Sequence, residues 1–83
     1  MREITLETII DKLTDYEIKD LCFCINHFGN RKRGGGIYAD EFSVKFYKRK
    51  YAEDCINDAL KSDGLTREGK CYLQQLKDKM ESL

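Results

Sequence analysis

The chain has 83 residues with 15 basic and 15 acidic side chains, so its formal net charge is zero, and 41% of its residues are apolar. That length carries one small hydrophobic core with no room for a second, and the composition excludes an intrinsically disordered chain. No run approaches the 18 or more apolar residues that a membrane span requires, and Met1-Arg2-Glu3 leads into an amphipathic pattern and not into a signal peptide's apolar block.

The expectation is therefore an intracellular, cytoplasmic protein with no membrane contact. In a reducing compartment Cys22, Cys24, Cys55 and Cys71 read as free thiols behaving as small hydrophobes, not as a disulfide framework. Proline is absent, which favours uninterrupted helices because nothing deletes an internal donor.

In chain order, the spacing predicts a first helix over residues 5–13. Thr5 stands as N-cap, Ile4 is placed to staple onto Ile9, and Leu6, Ile9, Ile10 and Leu13 fall on one stripe. Thr14 with Glu17 three residues later forms a capping box that opens a second helix over 15–28. Its core stripe is Ile18, Leu21, Cys22, Ile25 and Phe28, while Tyr16, Phe23 and His27 lie on another side. Two apolar sides point to a helix sandwiched between neighbours, with a partner on the Phe23 side as the alternative. Gly29 is positioned as a left-handed stop.

Residues 30–50, NRKRGGGIYADEFSVKFYKRK, are the most informative stretch. Seven basic residues stand there against Asp40 and Glu41 alone, a local excess of +5 in a neutral protein. Gly34-Gly35-Gly36 reads as a loop or tight turn, since three glycines lose much backbone entropy on ordering and have nothing to pack. Beyond it, Phe42, Val44 and Phe46 alternate with polar residues at the period of a half-buried strand, with a helix from Asp40 as the rival. A strand places both phenylalanines in the core and leaves room for a short two-stranded ribbon.

Tyr51, Ala52, Cys55, Ile56, Ala59 and Leu60 restore a helical period over 51–61, closed by a glycine stop at Gly64. Thr66 caps a last helix over 66–82, whose stripe of Tyr72, Leu73, Leu76, Met80 and Leu83 runs to the final residue. Such a stripe either docks on the core or lines a homodimer. The nine residues Leu65 to Leu73, LTREGKCYL, resemble the phrase that opens the last helix of winged-helix transcription regulators. A helix and a tight turn precede it here where that family has its wing, so no recognition helix is carried over. The fold expected is a mainly α, small single-domain bundle of about four helices over residues 1–83. A basic Gly-rich loop and a short β-ribbon fall between the second and third helices.

Signals for chemistry are weak. Cys22 and Cys24 lie about 200° apart round a helix and cannot share an ion, and although Cys24 and His27 can, their spacing matches no paired zinc-ligand pattern. The expected burial is Cys22 inside, with Cys24 and His27 nearer the surface. His27 is the one histidine, and a Cys-His pair within one helix lacks the orienting third group of a nucleophilic site. The glycines lack the Gly-Lys-Ser/Thr of a nucleotide loop. No catalytic residue, metal or cofactor is expected.

What remains is binding. Basic residues suit phosphates, and the aromatic residues between them suit stacking on bases. The leading expectation is a small regulator that contacts nucleic-acid phosphates through Arg31, Lys32, Arg33, Tyr38, Lys45, Tyr47, Lys48, Arg49 and Lys50. The alternative is a small inhibitor or adaptor, of phage or mobile-element type, that docks on an acidic protein surface of a larger host complex.

Overall fold

The structure, a computed structural model, describes residues 4–29 and 38–83. They are mainly helical, with three α-helices: Asp15–Cys24 (α1), Arg49–Lys61 (α2) and Arg67–Ser82 (α3). Short 3-10 turns at Leu6–Thr8, Ile10–Lys12 and Val44–Phe46 and a π turn at Ile25–Gly29 complete the regular structure.

The capping box at α1 forms as expected. The Glu17 amide donates to the Thr14 hydroxyl at 3.2 Å, and the Thr14 amide donates to the Glu17 carboxylate at 2.8 Å. Two orphan amides of the first turn are thereby satisfied. Glu17 also accepts from the Lys79 ammonium at 2.8 Å, tying the start of α1 to the end of α3. A second tie comes from Arg49, whose guanidinium donates to Glu53 at 3.3 Å and to the Met80 carbonyl. Two cations thus hold the last turn of α3, where the helix dipole favours positive charge.

The helix expected over 5–13 is instead a pair of 3-10 turns. Its first amide is taken elsewhere: Leu6 donates to the Tyr47 carbonyl at 3.0 Å, Arg49 donates to the Ile4 carbonyl at 2.8 Å, and Thr5 bridges antiparallel to Lys48. Thr5 makes no side-chain cap, and Leu13 returns to extended backbone before Thr14. A nine-residue segment rich in β-branched residues has little helical stability of its own, so these long-range bonds decide its form. Leu6, Ile9 and Leu13 are nevertheless buried. Ile4 is largely exposed and does not form the expected staple.

The second helix divides. After Cys24 the backbone widens into the π turn, and Leu21, Cys22, Ile25 and Phe28 face the core as the stripe predicted. Gly29 is not left-handed, and neither is Gly64. Gly29 is glycine for a different reason: a Cβ there would overlap the Tyr51 hydroxyl and lie 3.4 Å from Cys55 Sγ on α2. The close approach lets the π turn pack directly on α2.

The strand and ribbon expected around 41–48 are also absent from the described residues. Glu41–Ser43 form a turn and Val44–Phe46 a 3-10 helix. Asp40 causes this: its carboxylate accepts from the amides of Phe42 at 3.0 Å and Ser43 at 2.6 Å, the Asp40 amide donates to the Ser43 hydroxyl at 3.1 Å, and Val44 donates to the Asp40 carbonyl at 2.9 Å. Side-chain capping of this kind offers the backbone an alternative to sheet pairing.

The last two helices sit within two residues of their predicted bounds, and the Thr66 hydroxyl accepts from the Gly69 amide at 3.1 Å. Ala52, Cys55, Ile56 and Ala59 from α2 meet Leu73, Leu76 and Met80 from α3 in one core with the buried residues of α1 and the N-terminal turns. Of the α3 stripe, Leu73, Leu76 and Met80 are thus consumed within one chain, while Tyr72 and Leu83 stay exposed.

Candidate binding surface

The segment from Tyr38 to Lys50 crosses between the π turn and α2, and side chains hold it in place. Asn26, the second residue of the π turn, pairs with the backbone of Ala39 in both directions. Its amide nitrogen donates to the Ala39 carbonyl at 2.8 Å, and its carbonyl oxygen accepts from the Ala39 amide at 2.7 Å. The side chain thus acts as one peptide unit of a sheet partner. The Tyr47 hydroxyl donates to the Tyr38 carbonyl at 2.8 Å. The Tyr47 ring stacks on Tyr51 of α2, centroids 6.2 Å apart.

Hydrogen bonds from the Ser43 backbone and side chain, and from the Phe42 amide, hold the Asp40 carboxyl below its ordinary range. Asp40 therefore stays ionised and keeps its turn closed at neutral pH. With Ala39 and Val44 turned into the core, the alternate side chains are thrown outward. Tyr38 is 74% exposed, Phe42 75% and Phe46 59%. Lys45 lies between the two phenylalanines, its ammonium 5.4 Å from the Phe42 ring centroid and 5.1 Å from that of Phe46, within cation–π range of both. The expectation that Phe42 and Phe46 are core residues is corrected: a 3-10 turn splays residues that a strand would align, and Val44 alone goes inside.

The basic residues fall into different roles. Arg31, Lys32 and Arg33 lie outside the described residues. Arg49 is turned inward onto Glu53 and Met80 and presents no outward guanidinium. Lys50 is exposed and lies 3.4 Å from Asp54 one helical turn on, while Lys48 is exposed where the chain bridges to Thr5. Tyr47 is half-buried, with its hydroxyl and ring both spent on the segment's own structure. Of the sequence-predicted residues described, Lys45 lies against both outward phenylalanines and Tyr38 shares a groove lining with Phe42, with Lys48 and Lys50 farther along the same segment.

Beside this face runs an open groove of about 500 Å³ between α1 and the segment, lined by Lys19, Cys22, Asn26 and residues 38–42. Lys19 and Glu41 approach to 3.9 Å, both well exposed; such a pair contributes little to stability.

The cysteines differ from expectation. Cys24 is wholly buried, deeper than Cys22, while His27 is exposed and its ring lies against Phe23 with centroids 4.3 Å apart. The pair is split between inside and outside and does not meet at one ion. Burial, with the negative Asp20 and neighbouring Cys55 adding to it, pushes the Cys24 thiol up to about 12, and burial next to Asp40 and Glu41 pushes Cys22 up to about 11. Both stay protonated and poorly nucleophilic. Phe23 is 43% exposed, with no helix among the described residues closing over it, contrary to the sandwiched reading.

No protein-family model, curated protein or solved structure matches the chain. Sequence reasoning missed Asn26 and the outward phenylalanines. The signal for the first was a polar residue four after Cys22 on an apolar stripe; for the second it was Asp40 three before Ser43, a capping pattern.

Proposed function

We propose that the chain is a small binding protein, without catalysis of its own, that docks on an acidic surface of a larger protein as an adaptor or inhibitor. The observation that carries this reading is the outward pair Phe42 and Phe46 with Lys45 held between them and Tyr38 alongside. A large apolar side chain left in water forgoes about 2 kcal/mol of burial, and a partner that covers these rings recovers it. Aromatic anchors beside a cation are the usual centre of protein interfaces, with polar residues such as Lys48 and Lys50 at the rim. Arg49 does not contribute because its charge is used inside the fold.

The test compares retention of proteins from one lysate on immobilised wild type and on the Phe42→Ser/Phe46→Ser double variant. A protein held by the first and released by the second supports the reading. Equal retention on both rejects it.

A second reading, contact with nucleic-acid phosphates, is favoured by Lys45 lying between rings whose outer faces are open to bases, with the basic run Arg31 to Arg33 nearby in sequence. Binding to unrelated DNA and RNA that falls steeply between about 50 and 200 mM salt is its signature. Replacing Arg31, Lys32 and Arg33 by alanine should then abolish that binding. Affinity that is flat with salt, or no binding, removes it.

A further inference from the structure

We infer that Asn26 is the positioning residue of the aromatic face, its side-chain amide latching the Tyr38–Phe46 segment in the shape that meets a partner. The inference rests on the binding reading above and adds the part of the fold that sets the geometry of the face.

The face belongs to no α-helix or sheet, only to a turn and the short 3-10 helix Val44–Phe46, so its shape depends on what ties it down. Four contacts form a closed circuit. Asn26 holds Ala39 by two hydrogen bonds, the Tyr38 carbonyl accepts from Tyr47, Tyr47 stacks on Tyr51, and Tyr51 sits against Gly29. Asn26 and Gly29 are the second and last residues of the same π turn. The widened turn therefore grips the segment directly at one end and through two tyrosines at the other. Within the segment, the Asp40 cap fixes the directions of Phe42 and Phe46 only relative to Ala39. Asn26 fixes Ala39 relative to the rest of the molecule.

The chemistry of the latch is specific to an amide. Alanine supplies neither bond. Aspartate at neutral pH still accepts from the Ala39 amide but turns a second oxygen on the Ala39 carbonyl, where a donor is required. Once protonated, aspartic acid regains a donor, so its variant is a latch that closes in acid. A residue that merely fills space has no such behaviour.

The experiment measures amide hydrogen exchange at Ala39 and the accessibility of the Phe42 and Phe46 rings to a paramagnetic co-solute, in wild type, Asn26→Ala and Asn26→Asp. At neutral pH both variants should exchange Ala39 faster by about tenfold or more, as the loss of a hydrogen-bonded clamp implies, with the amides of α3 unchanged. Ring accessibility should shift in both. As pH falls through the ordinary aspartate range, about 4, Asn26→Asp should recover wild-type protection and ring accessibility while Asn26→Ala should not. Unchanged Ala39 protection in Asn26→Ala, or no acid recovery in Asn26→Asp, overturns the inference. If Asn26→Ala does not fold, the acid recovery of Asn26→Asp decides alone. The Phe42→Ser/Phe46→Ser variant keeps the latch and loses the rings, so failure of the binding reading and failure of the latch give different results.

Discussion

Four aromatic side chains lie within ten residues, and two of them point out while two point in. Phe42 and Phe46 are exposed and flank a lysine; Tyr47 and Tyr51 stack, and carry a hydroxyl contact from the segment to α2. The phenylalanines are the more apolar pair, so hydrophobicity alone would reverse the arrangement. Backbone capping by Asp40 and the close approach of Gly29 to Tyr51 decide it instead. Local hydrogen bonds and one missing Cβ thus outweigh a difference in transfer free energy, and the outcome is an exposed aromatic face held by partly buried polar contacts over an apolar core.

The largest expected effect breaks the inner pair. Tyr51→Ala removes the ring that fills the space beside Gly29 and Cys55 and should lower stability by about 3 kcal/mol, read from the urea midpoint at constant slope. Gly29→Ala reaches the same place from the other side. The new methyl overlaps the Tyr51 hydroxyl, and overpacking there should cost about 1–3 kcal/mol and disturb the Tyr47 and Tyr38 resonances, which lie further round the circuit.

Acid should loosen scaffold and segment together. Burial works to raise the Glu17 carboxyl, but hydrogen bonds from Lys79 and from the backbone and hydroxyl of Thr14 outweigh it and leave it below its ordinary value. Asp40 is lowered too, by Ser43 and Phe42. A depressed carboxyl contributes stability that is fully present above its ordinary pKa and is lost as pH falls through its folded value. Unfolding midpoints should therefore be flat near neutrality and drop in the acid range, and Lys79→Met should reduce the Glu17 part of that drop.

The smallest expected effect sharpens the comparison from outside. Phe42→Ser/Phe46→Ser should change stability by no more than about 0.5 kcal/mol for each exposed site. A loss of several kcal/mol in a thermal or urea melt would mean that these rings belong to the core after all.

Much of the scaffold was legible in the sequence because its signals are local. Thr14 with Glu17, Thr66 before its helix, and the stripes of 51–61 and 66–82 need no knowledge of distant residues. The failures came where a distant partner intervened. The 5–13 pattern reads as a helix until Tyr47 takes the Leu6 amide, and Cys24 lies off the α1 stripe yet is buried, with Cys55 of α2 as a neighbour. At 41–46 both signals were local and in conflict: alternation argued for a strand, and Asp40 with Ser43 argued for a turn. The turn won because its hydrogen bonds are made within four residues, whereas a ribbon needs a second strand to pay the same backbone. Tyr38 and Lys45 were found by composition, but the outward direction of their phenylalanine neighbours depended on that conflict.

The bridge between Thr5 and Lys48, with the bonds from Leu6 to Tyr47 and from Arg49 to Ile4, sets an order on folding. α2 and α3 are neighbours in the chain and can meet early, while the N-terminal turns must wait for everything between Thr5 and Lys48 to be drawn together, since closing a long loop precedes the contacts that reward it. During synthesis the segment around Leu6 is made before α1 yet is among the last to find its place: its partner carbonyl at Tyr47 emerges only after α1, the π turn and most of the aromatic face have been laid down.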